Sequence, residues 1–146
     1  MQVTLADRSE SALYIALALS SVCDRYRSRT VADIERLFWP AIQTQQYRVA
    51  IRDGCAVGFV SWAFLGEEEA AGFANRTRPL QPEDWRSGDH IWIIDLLAPF
   101  GHCREFVGHL KRDLFKGHLV HATRMRPGGS RGVARYIGEG YCNEKS

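Results

Sequence analysis

The amino-acid sequence predicts an α+β domain in which helices flank one mainly antiparallel sheet. Helical spacing of apolar residues dominates residues 9–38, whereas apolar and polar residues alternate with period two from Gln46 onward. An Asp-Gly pair at 53–54 separates two such strands, which is a typical hairpin signal. These segments lie within 146 residues of 45% hydrophobic content, so we expect a single domain spanning residues 1–146.

Two helices are predicted in the N-terminal part. Ser9 or Ser11 is the expected N-cap of the first helix, which runs to about Val22 and carries a stripe at helical spacing: Leu13, Ala16, Leu17 and Ser20. Thr30 is the expected N-cap of the second, with Asp33 in the position of a capping-box acid. Its predicted buried stripe is Val31, Ile34, Leu37 and Phe38, and Pro40 is expected to interrupt it.

The rest of the chain predicts strands with two further helices. Residues 47–51 and 56–63 form the hairpin, 67–71 a short exposed helix and 79–88 a loop. An apolar strand begins at Ile91 and ends at Pro99-Phe100-Gly101. A helix containing Cys103 to Leu114 follows, and 119–125 and 133–137 are predicted to close the sheet around Pro127-Gly128-Gly129.

The most informative residue is Asp95, the one charged residue of the apolar run 91–101. Burying an ionised carboxylate costs several kcal/mol of free energy unless the group is paired or takes part in chemistry. Asp95 is therefore expected either to have a partner or to take part in proton transfer. Strict alternation places Asp95 on one face with Ile93 and Leu97, and Trp92, Ile94 and Leu96 on the other.

Composition narrows the classes of protein. No apolar stretch approaches the roughly 20 residues of a membrane span, and no basic stretch precedes the apolar residues 12–22, so we expect a cytoplasmic protein without a membrane span. The four cysteines (Cys23, Cys55, Cys103 and Cys142) form no C-x-x-C pair. We therefore expect free thiols and no metal site.

Charge is distributed unevenly along the chain. Residues 1–100 carry 10 Lys/Arg and 13 Asp/Glu, a net charge of −3, whereas residues 101–146 carry 9 and 4, a net charge of +5. A basic C-terminal part suits nucleic acid, an acidic carrier protein or a phosphate-bearing cofactor, or is merely a solvated face. The charge distribution alone does not distinguish these possible partners from a solvated surface.

The predicted order of elements is also the general plan of GNAT-type acyltransferases. The Gly-rich turn that binds a pyrophosphate at the start of a helix is absent, because residues 99–103 contain only Gly101. This absence argues against coenzyme A as the acyl donor.

Several ordered blocks resemble the RTX toxin-activating lysine acyltransferases, which are GNAT-like. The similarity covers roughly residues 20–140, and its most specific blocks are a tryptophan-containing loop and an Asp-x-x-Ala-Pro-Phe segment. The blocks are Pro40-Ala41-Ile42-Gln43, Gln46-Tyr47, Ser61-Trp62-Ala63, Asp84-Trp85-Arg86-Ser87-Gly88-Asp89, Trp92-Ile93-Ile94-Asp95 and Ala98-Pro99-Phe100-Gly101.

The resemblance implies transfer of a fatty acyl group from acyl carrier protein to internal lysines of an RTX-type protoxin, with no other bound cofactor. It places Asp95 on the family's catalytic aspartate. It also implies acyl carrier protein and a protein substrate as partners, rather than nucleic acid, and includes a homodimer among the assemblies to be considered. A small-molecule amine is an alternative acceptor.

One position departs from the family pattern. The family's histidine lies in a Ser-Ser-x-x-His-Arg segment, and the matching residues here are Ser20-Ser21-Val22-Cys23-Asp24-Arg25, so Asp24 stands in its place. Ser21 matches a serine of that segment, and two interpretations are open for it: a hydrogen-bond donor near the acyl carbonyl, or a helix cap.

Three readings of this departure stay open. Asp24 or the Cys23 thiol replaces the histidine, or a histidine from elsewhere, such as His90 or His121, occupies the site. In the third, the chain is catalytically silent and acts as a module that binds an acyl carrier or another partner.

Two further groups of side chains are candidates for binding. The arginines around the Gly128-Gly129 turn, with Arg124 and Arg126 as the first choice, are expected to contact the acidic carrier and its phosphopantetheine; the others are Arg131 and Arg135. Trp62, Trp85 and Trp92 are either the walls of an acyl slot or ordinary core residues, and core packing is the preferred interpretation.

Overall fold

The computed structural model describes residues 1–125 and 131–139, which form a six-stranded sheet with helices on both faces. The strands lie in the order of the chain, and every neighbouring pair is antiparallel except β4 and β5, which are parallel. The predicted α+β class with a mainly antiparallel sheet is confirmed. The strands are β1 (Gln2–Thr4), β2 (Tyr47–Arg52), β3 (Cys55–Leu65), β4 (His90–Leu97), β5 (Leu119–Met125) and β6 (Arg131–Ile137).

Five α-helices connect or cover the strands, and the predicted loop at 79–88 contains a 3-10 helix, Pro82–Trp85. The last helix continues into a π-helical turn, Leu110–Leu114. The α-helices are α1 (Ser9–Ser21), α2 (Val31–Leu37), α3 (Trp39–Gln43), α4 (Glu67–Asn75) and α5 (Cys103–His109). Among the described residues, no helix combines the length and apolar character needed to span a bilayer.

Of the two predicted helix N-caps, the one of α2 is confirmed and the one of α1 is wrong. Arg8, not Ser9 or Ser11, is the N-cap of α1, and its side chain makes no capping hydrogen bond. The capping box of α2 is confirmed: Thr30 Oγ1 accepts from the Asp33 backbone N–H at 3.1 Å, and the Asp33 carboxylate accepts from the Thr30 N–H at 2.9 Å. Pro40, which was predicted to interrupt the second helix, lies instead in the first turn of α3. A backbone N–H at that position has no partner within the helix, so its absence in proline is harmless.

The buried stripe predicted for α2 is only partly correct. Phe38 is fully buried, whereas Val31 is 81% exposed because it lies at the solvent side of the first turn. In α1 the buried residues are Ala12, Ala16, Leu19 and Ser20, so Leu17 faces outward contrary to the prediction. In a helix of a few turns, the spacing of apolar residues alone does not determine well which face is buried.

The β2–β3 hairpin is confirmed, with strands longer than predicted. Asp53 and Gly54 both adopt positive φ angles, 51° and 77°, which a two-residue turn of this kind requires. Sequence reasoning missed β1, which has only three residues, and it began β6 two residues late.

A β-bulge in β4 places Asp95 and Ile93 on opposite faces of the sheet. Ser61 pairs with Asp95, but the next residue of β3, Trp62, pairs with Ile93, so Ile94 has no partner. The predicted grouping of Asp95 with Ile93 is therefore wrong, because the extra residue inverts the alternation. Asp95 and Leu97 face α1, while Ile93 packs on the opposite face against Phe106 of α5.

The core lies on both faces of the sheet. One cluster packs α1 and α3 on β2 and β3, and another packs α5 on β3, β4 and β5. Gly58 permits the second contact, since a Cβ atom there would lie 2.8 Å from the Phe106 ring. Trp62, Trp85 and Trp92 are all buried in these clusters or in a third, and none of them borders the cavities described below.

Three sequence blocks that carry the family resemblance meet around Gln46. Its Nε2 donates to the carbonyls of Trp62 and Trp85, both at 3.0 Å, and its Oε1 accepts from Arg86 Nε at 2.9 Å. Because Gln46 is only 3% exposed, this network satisfies a polar side chain in the core. These blocks therefore hold the Trp85 loop to the β3 strand.

Candidate active site

Asp95 lies deep in the sheet, near the end of β4. Its side chain is 1% exposed and shares a face with that of Ser61, its partner on β3. Ser61 is fully buried, and its hydroxyl has no hydrogen-bond partner among the described residues. Two polar side chains are thus placed next to each other in a largely apolar sheet.

Arg29 is the partner of Asp95. Its Nη1 donates to Oδ2 at 2.9 Å and its Nη2 to Oδ1 at 2.6 Å, which is the bidentate geometry of a strong guanidinium–carboxylate pair. The guanidinium carbon lies 4.6 Å from the centre of the Tyr26 ring and 4.9 Å from that of Phe38. Burial acts to lower the pKa of Arg29, but the hydrogen bonds and charge of Asp95 outweigh it, so the pKa is raised.

This ion pair explains how the carboxylate of Asp95 can be buried. Asp95 has a partner, and the partner comes from the polar segment between α1 and α2. Arg29 was missed by sequence reasoning. The only signal was the group of three arginines at 25, 27 and 29, and nothing local distinguishes one from another.

Tyr26 is a second residue that sequence reasoning missed. It is 8% exposed and borders both cavities of the site. Burial, and next the charge of Asp95, raise the pKa of the Tyr26 phenol to about 12. The charges of Arg25 and Arg29, and then a hydrogen bond with the Leu96 backbone, act in the opposite direction. The phenol therefore stays protonated at neutral pH and can donate a hydrogen bond.

The residues predicted around the family's histidine position lie apart from Asp95. Asp24 is exposed and borders neither cavity. Ser21 is also exposed, and its hydroxyl donates to the Ala18 carbonyl of its own helix at 2.7 Å. Cys23 is half-buried against the core under α1. The structure thus brings Arg29 and Tyr26 to Asp95, and not Asp24 or Ser21.

An apolar cleft of about 380 Å³ lies on the α5 face of the sheet. The β4–β5 ladder has only three registered pairs, from Ile91↔Val120 to Ile93↔Ala122, and the cleft lies where the two strands no longer pair. Its apolar walls include Val60, Leu96, Val107, Leu110, Phe115 and Val120. Arg25, Lys111 and Arg124 add positive charge to its lining.

A second cavity of about 530 Å³, here called the arginine cavity, lies on the face of Asp95. Among the residues that the structure describes, five arginines line it (Arg25, Arg29, Arg36, Arg76 and Arg78), and Asp95 is the one acidic residue of the lining. The two cavities share four residues: Arg25, Tyr26, Ile94 and Thr123. They therefore approach each other from opposite faces of the sheet, at the bulge.

The remaining predicted residues have varied positions. Arg124 is exposed and lines the apolar cleft, whereas Arg126 lies outside the described residues. His121 stacks on Trp92, with ring centres 5.1 Å apart, and burial lowers its pKa. Neither His121 nor His90 borders either cavity. Over residues 1–125 and 131–139, no group of three His, Cys, Asp or Glu side chains is placed to hold a metal ion.

Comparisons of structure support a GNAT-like fold. A GNAT-like decarboxylase, GphF in complex with isobutyryl-CoA, matches 87% of this chain and 68% of its own with a TM-score of 0.57 and 16% identity. An agmatine N-acetyltransferase variant in its apo form matches 86% of this chain and 76% of its own, with a TM-score of 0.51 and 16% identity. At such identity the likeness concerns the fold alone.

Comparisons of sequence are more specific. The protein-lysine myristoyltransferase RtxC of Kingella kingae is 41% identical over 100 residues, which are 68% of this chain and 59% of that protein. The lysine-acyltransferase ApxIIC of Actinobacillus pleuropneumoniae is 35% identical over 70% of this chain and 63% of its own length. The protein-lysine myristoyltransferase HlyC of Escherichia coli is 39% identical over 60% of this chain and 51% of its own.

The chain thus spans between half and two thirds of the length of these relatives. The family described as HlyC, RTX toxin acyltransferase, matches residues 7–136, which include every element from α1 to nearly the end of β6. The resemblance found in the sequence is confirmed, and the chain belongs to the RTX toxin acyltransferase family.

Proposed function

We propose that this protein transfers a fatty acyl group from acyl carrier protein to the side-chain amine of an internal lysine in an RTX-type protein. Family membership and the names of its relatives support an acyltransferase that acts on protein lysines. The observation that carries the proposal is the approach of an apolar cleft and a polar cavity at the bulge of β4, beside the gap where β4 and β5 no longer pair.

The apolar cleft suits the acyl chain of the donor. Each methylene group transferred from water to such walls contributes about 0.8 kcal/mol. Arg25, Lys111 and Arg124 in its lining suit the phosphopantetheine arm and the acidic surface of a carrier. Arg126 is also proposed to contact the carrier, because it is close to Arg124 in the sequence. With the chain held in the cleft, the thioester lies near Tyr26 and Ile94.

The lysine approaches through the arginine cavity. Its neutral nitrogen attacks the thioester carbonyl carbon and a C–N bond forms. The nitrogen then releases one proton to solvent, the C–S bond breaks, and the leaving thiolate of the carrier takes up one proton from solvent. The lysine must first lose a proton, and the surrounding guanidinium groups favour this by lowering the pKa of its ammonium. That proton passes to solvent.

Asp95 orients the amine in this proposal. Each carboxylate oxygen has a second lone pair after accepting one bond from Arg29, so the ion pair leaves capacity for an N–H of the substrate. Tyr26, protonated and at the junction of the cavities, donates a hydrogen bond to the oxygen that becomes negative in the tetrahedral intermediate. Asp24 and Ser21, which are exposed and border neither cavity, remain candidates for contacts with the carrier or the substrate outside the cavities.

The first test measures acyl transfer directly. The purified protein is incubated with acyl carrier thioesters and lysine peptides, and free carrier thiol and acylated peptide are both followed. The parent protein is expected to release thiol only with an acceptor, and Asp95→Asn to lower the rate by roughly 100-fold or more. Asp7→Asn, an exposed aspartate outside both cavities, is the matched control and is expected to have parental activity.

Loss of folding must be separated from loss of chemistry. Asp95→Asn leaves Arg29 buried without its charge partner, which typically destabilises a protein by about 3–5 kcal/mol. Combining Arg29→Met with Asp95→Leu removes both charges, and urea denaturation is expected to show most of the stability restored. Transfer by this double variant at the parental rate would contradict the role given to Asp95.

The second candidate function is a binding module without catalysis. Both Asp95 oxygens are engaged by Arg29, and Asp24 at the family's histidine position is exposed, which favours this candidate. It predicts carrier binding that weakens with added salt and no thiol release with any acceptor. Acceptor-dependent release by the parent protein excludes it.

A further inference from the structure

The arginine cavity contains more positive charge than its own acidic groups neutralise. Three of its arginines have carboxylate partners: Arg29 with Asp95, Arg36 with Asp33 at 3.1 Å, and Arg78 with Asp84 at 2.8 Å. Five guanidinium groups and these three carboxylates give a net charge of +5 − 3 = +2.

The excess belongs to Arg25 and Arg76. Neither has an ion-pair partner in the part of the chain that the structure describes, and both are exposed at the cavity. Arg76 is the C-cap of α4 and has a left-handed conformation, with φ of 56°; its N–H donates to the Phe73 carbonyl at 3.4 Å. Arg25 lies on the segment after α1.

A lysine that enters this cavity is repelled by the same charges. Two uncompensated cations disfavour an ammonium group at the entrance, so binding of the acceptor needs anions that accompany the lysine. These two guanidinium groups come from different parts of the chain, since Arg76 directly follows α4 and Arg25 lies between α1 and α2. Such a spread suits carboxylates distributed along a peptide, whereas one phosphate group needs several donors that converge on a point.

We infer that the acceptor lysine is presented on an acidic segment, whose Asp or Glu side chains bind Arg25 and Arg76 at the mouth of the arginine cavity. The inference rests on the proposed function and names its substrate class. The carboxylates offset the charges of Arg25 and Arg76, which removes the repulsion that an approaching lysine ammonium group would otherwise meet. Selectivity for the lysine's neighbours thus follows from the charge of the cavity.

Binding of fluorescent peptides, followed by anisotropy, tests the inference without requiring catalysis. Three peptides carry one lysine flanked by glutamates, by glutamines or by arginines. The glutamate peptide is expected to bind about tenfold or more tightly than the glutamine peptide at low salt, with the advantage shrinking as ionic strength rises. Equal binding of the three peptides would overturn the inference.

Two variants locate the interaction. Arg76→Glu is expected to abolish the preference for the glutamate peptide, because Arg76 lines only the arginine cavity. Arg27→Glu makes the same change in net charge on an exposed residue that lines neither cavity, and is expected to keep the preference. Equal effects of both variants would show a general charge effect and contradict the assignment.

Two further measurements separate this inference from the proposed function. Free phosphopantetheine is added as a competitor, and its displacement of the peptide would reassign the cavity to the donor and overturn the inference. Acyl transfer to the same peptides is then measured. Binding selectivity without transfer would contradict the proposed function alone, whereas transfer without selectivity for acidic flanks would contradict only the inference.

Discussion

Asp95 combines deep burial with a bidentate partner from a distant part of the chain, 66 residues earlier. The sequence predicted that this carboxylate needs a partner or a function, because the energy of an unpaired buried charge depends only on its surroundings. It did not identify Arg29. That choice depends on how an irregular segment folds over Phe38, which no period or motif determines.

Tyr26 is the residue with a testable dependence on pH. Its pKa in the folded protein, about 12, exceeds the ordinary value near 10, so the folded state holds the phenol proton more tightly. The stability that Tyr26 contributes is therefore complete below pH 10 and is lost as the pH rises toward 12, by up to about 3 kcal/mol.

Unfolding by urea between pH 9 and 12 checks this expectation. Tyr26→Phe has no phenol to ionise at this position, so its stability is expected to fall less steeply over that range. Tyr14→Phe is the control, since Tyr14 is 73% exposed. If both variants had the parental slope, Tyr26 would not be the residue responsible.

Among the elements, the local ones were predicted and the long-range ones were not. The Thr30–Asp33 capping box and the Asp53-Gly54 turn depend on three or four neighbouring residues, and both were recognised in the sequence. The bulge at Ile94 depends on how β4 pairs with β3, which alternation along one strand cannot reveal. The grouping of Asp95 with Ile93 was therefore wrong, although its strand and its grouping with Leu97 were predicted correctly.

The loop that precedes β4 gives a prediction at this scale. A Cβ atom at Gly88 would lie 2.5 Å from Gly66 Cα and 2.6 Å from the Leu65 carbonyl oxygen, and backbone atoms cannot move aside as a side chain can. Gly88→Ala is therefore expected to destabilise the protein by about 1–3 kcal/mol, measured by chemical denaturation.

Gly108→Ala is the matched control. Its Cβ would meet only the flexible end of Arg112, and alanine is favoured over glycine inside a helix, so we expect unchanged or slightly greater stability. Similar losses in the two variants would mean that the Gly88 contact is not the cause.

At the scale of the whole molecule, the fold class followed from the order of elements, whereas the two cavities did not. They require two things together: the end of the β4–β5 pairing after Ile93↔Ala122, and the segment with Tyr26 and Arg29 placed against that gap. The tryptophans were correctly expected to pack in the core, because large aromatic side chains usually do so in a small domain.

If the cleft holds the acyl chain, filling it changes which donor is used. Val107 lines the cleft and is half-buried, so Val107→Trp shortens the space without opening the core. We expect transfer from a 16-carbon donor to fall on the order of tenfold while an 8-carbon donor is little affected, since each excluded methylene loses about 0.8 kcal/mol of burial.

Val133→Trp adds the same side chain at a position that is 47% exposed on β6, outside the cleft, and is expected to leave the profile of chain length unchanged. Parallel loss of transfer for long and short donors with Val107→Trp would argue against acyl binding in the cleft.

The bulge has a consequence for how the length of β4 can vary. Removing Ile94 would make Ile93 and Asp95 consecutive residues on opposite faces, so the pairs Ser61↔Asp95 and Trp62↔Ile93 would persist and the carboxylate would still face Arg29. The extra residue thus lengthens the strand without deciding whether the ion pair forms. What its deletion would take away is a side chain that lines both cavities, at the place where they approach each other.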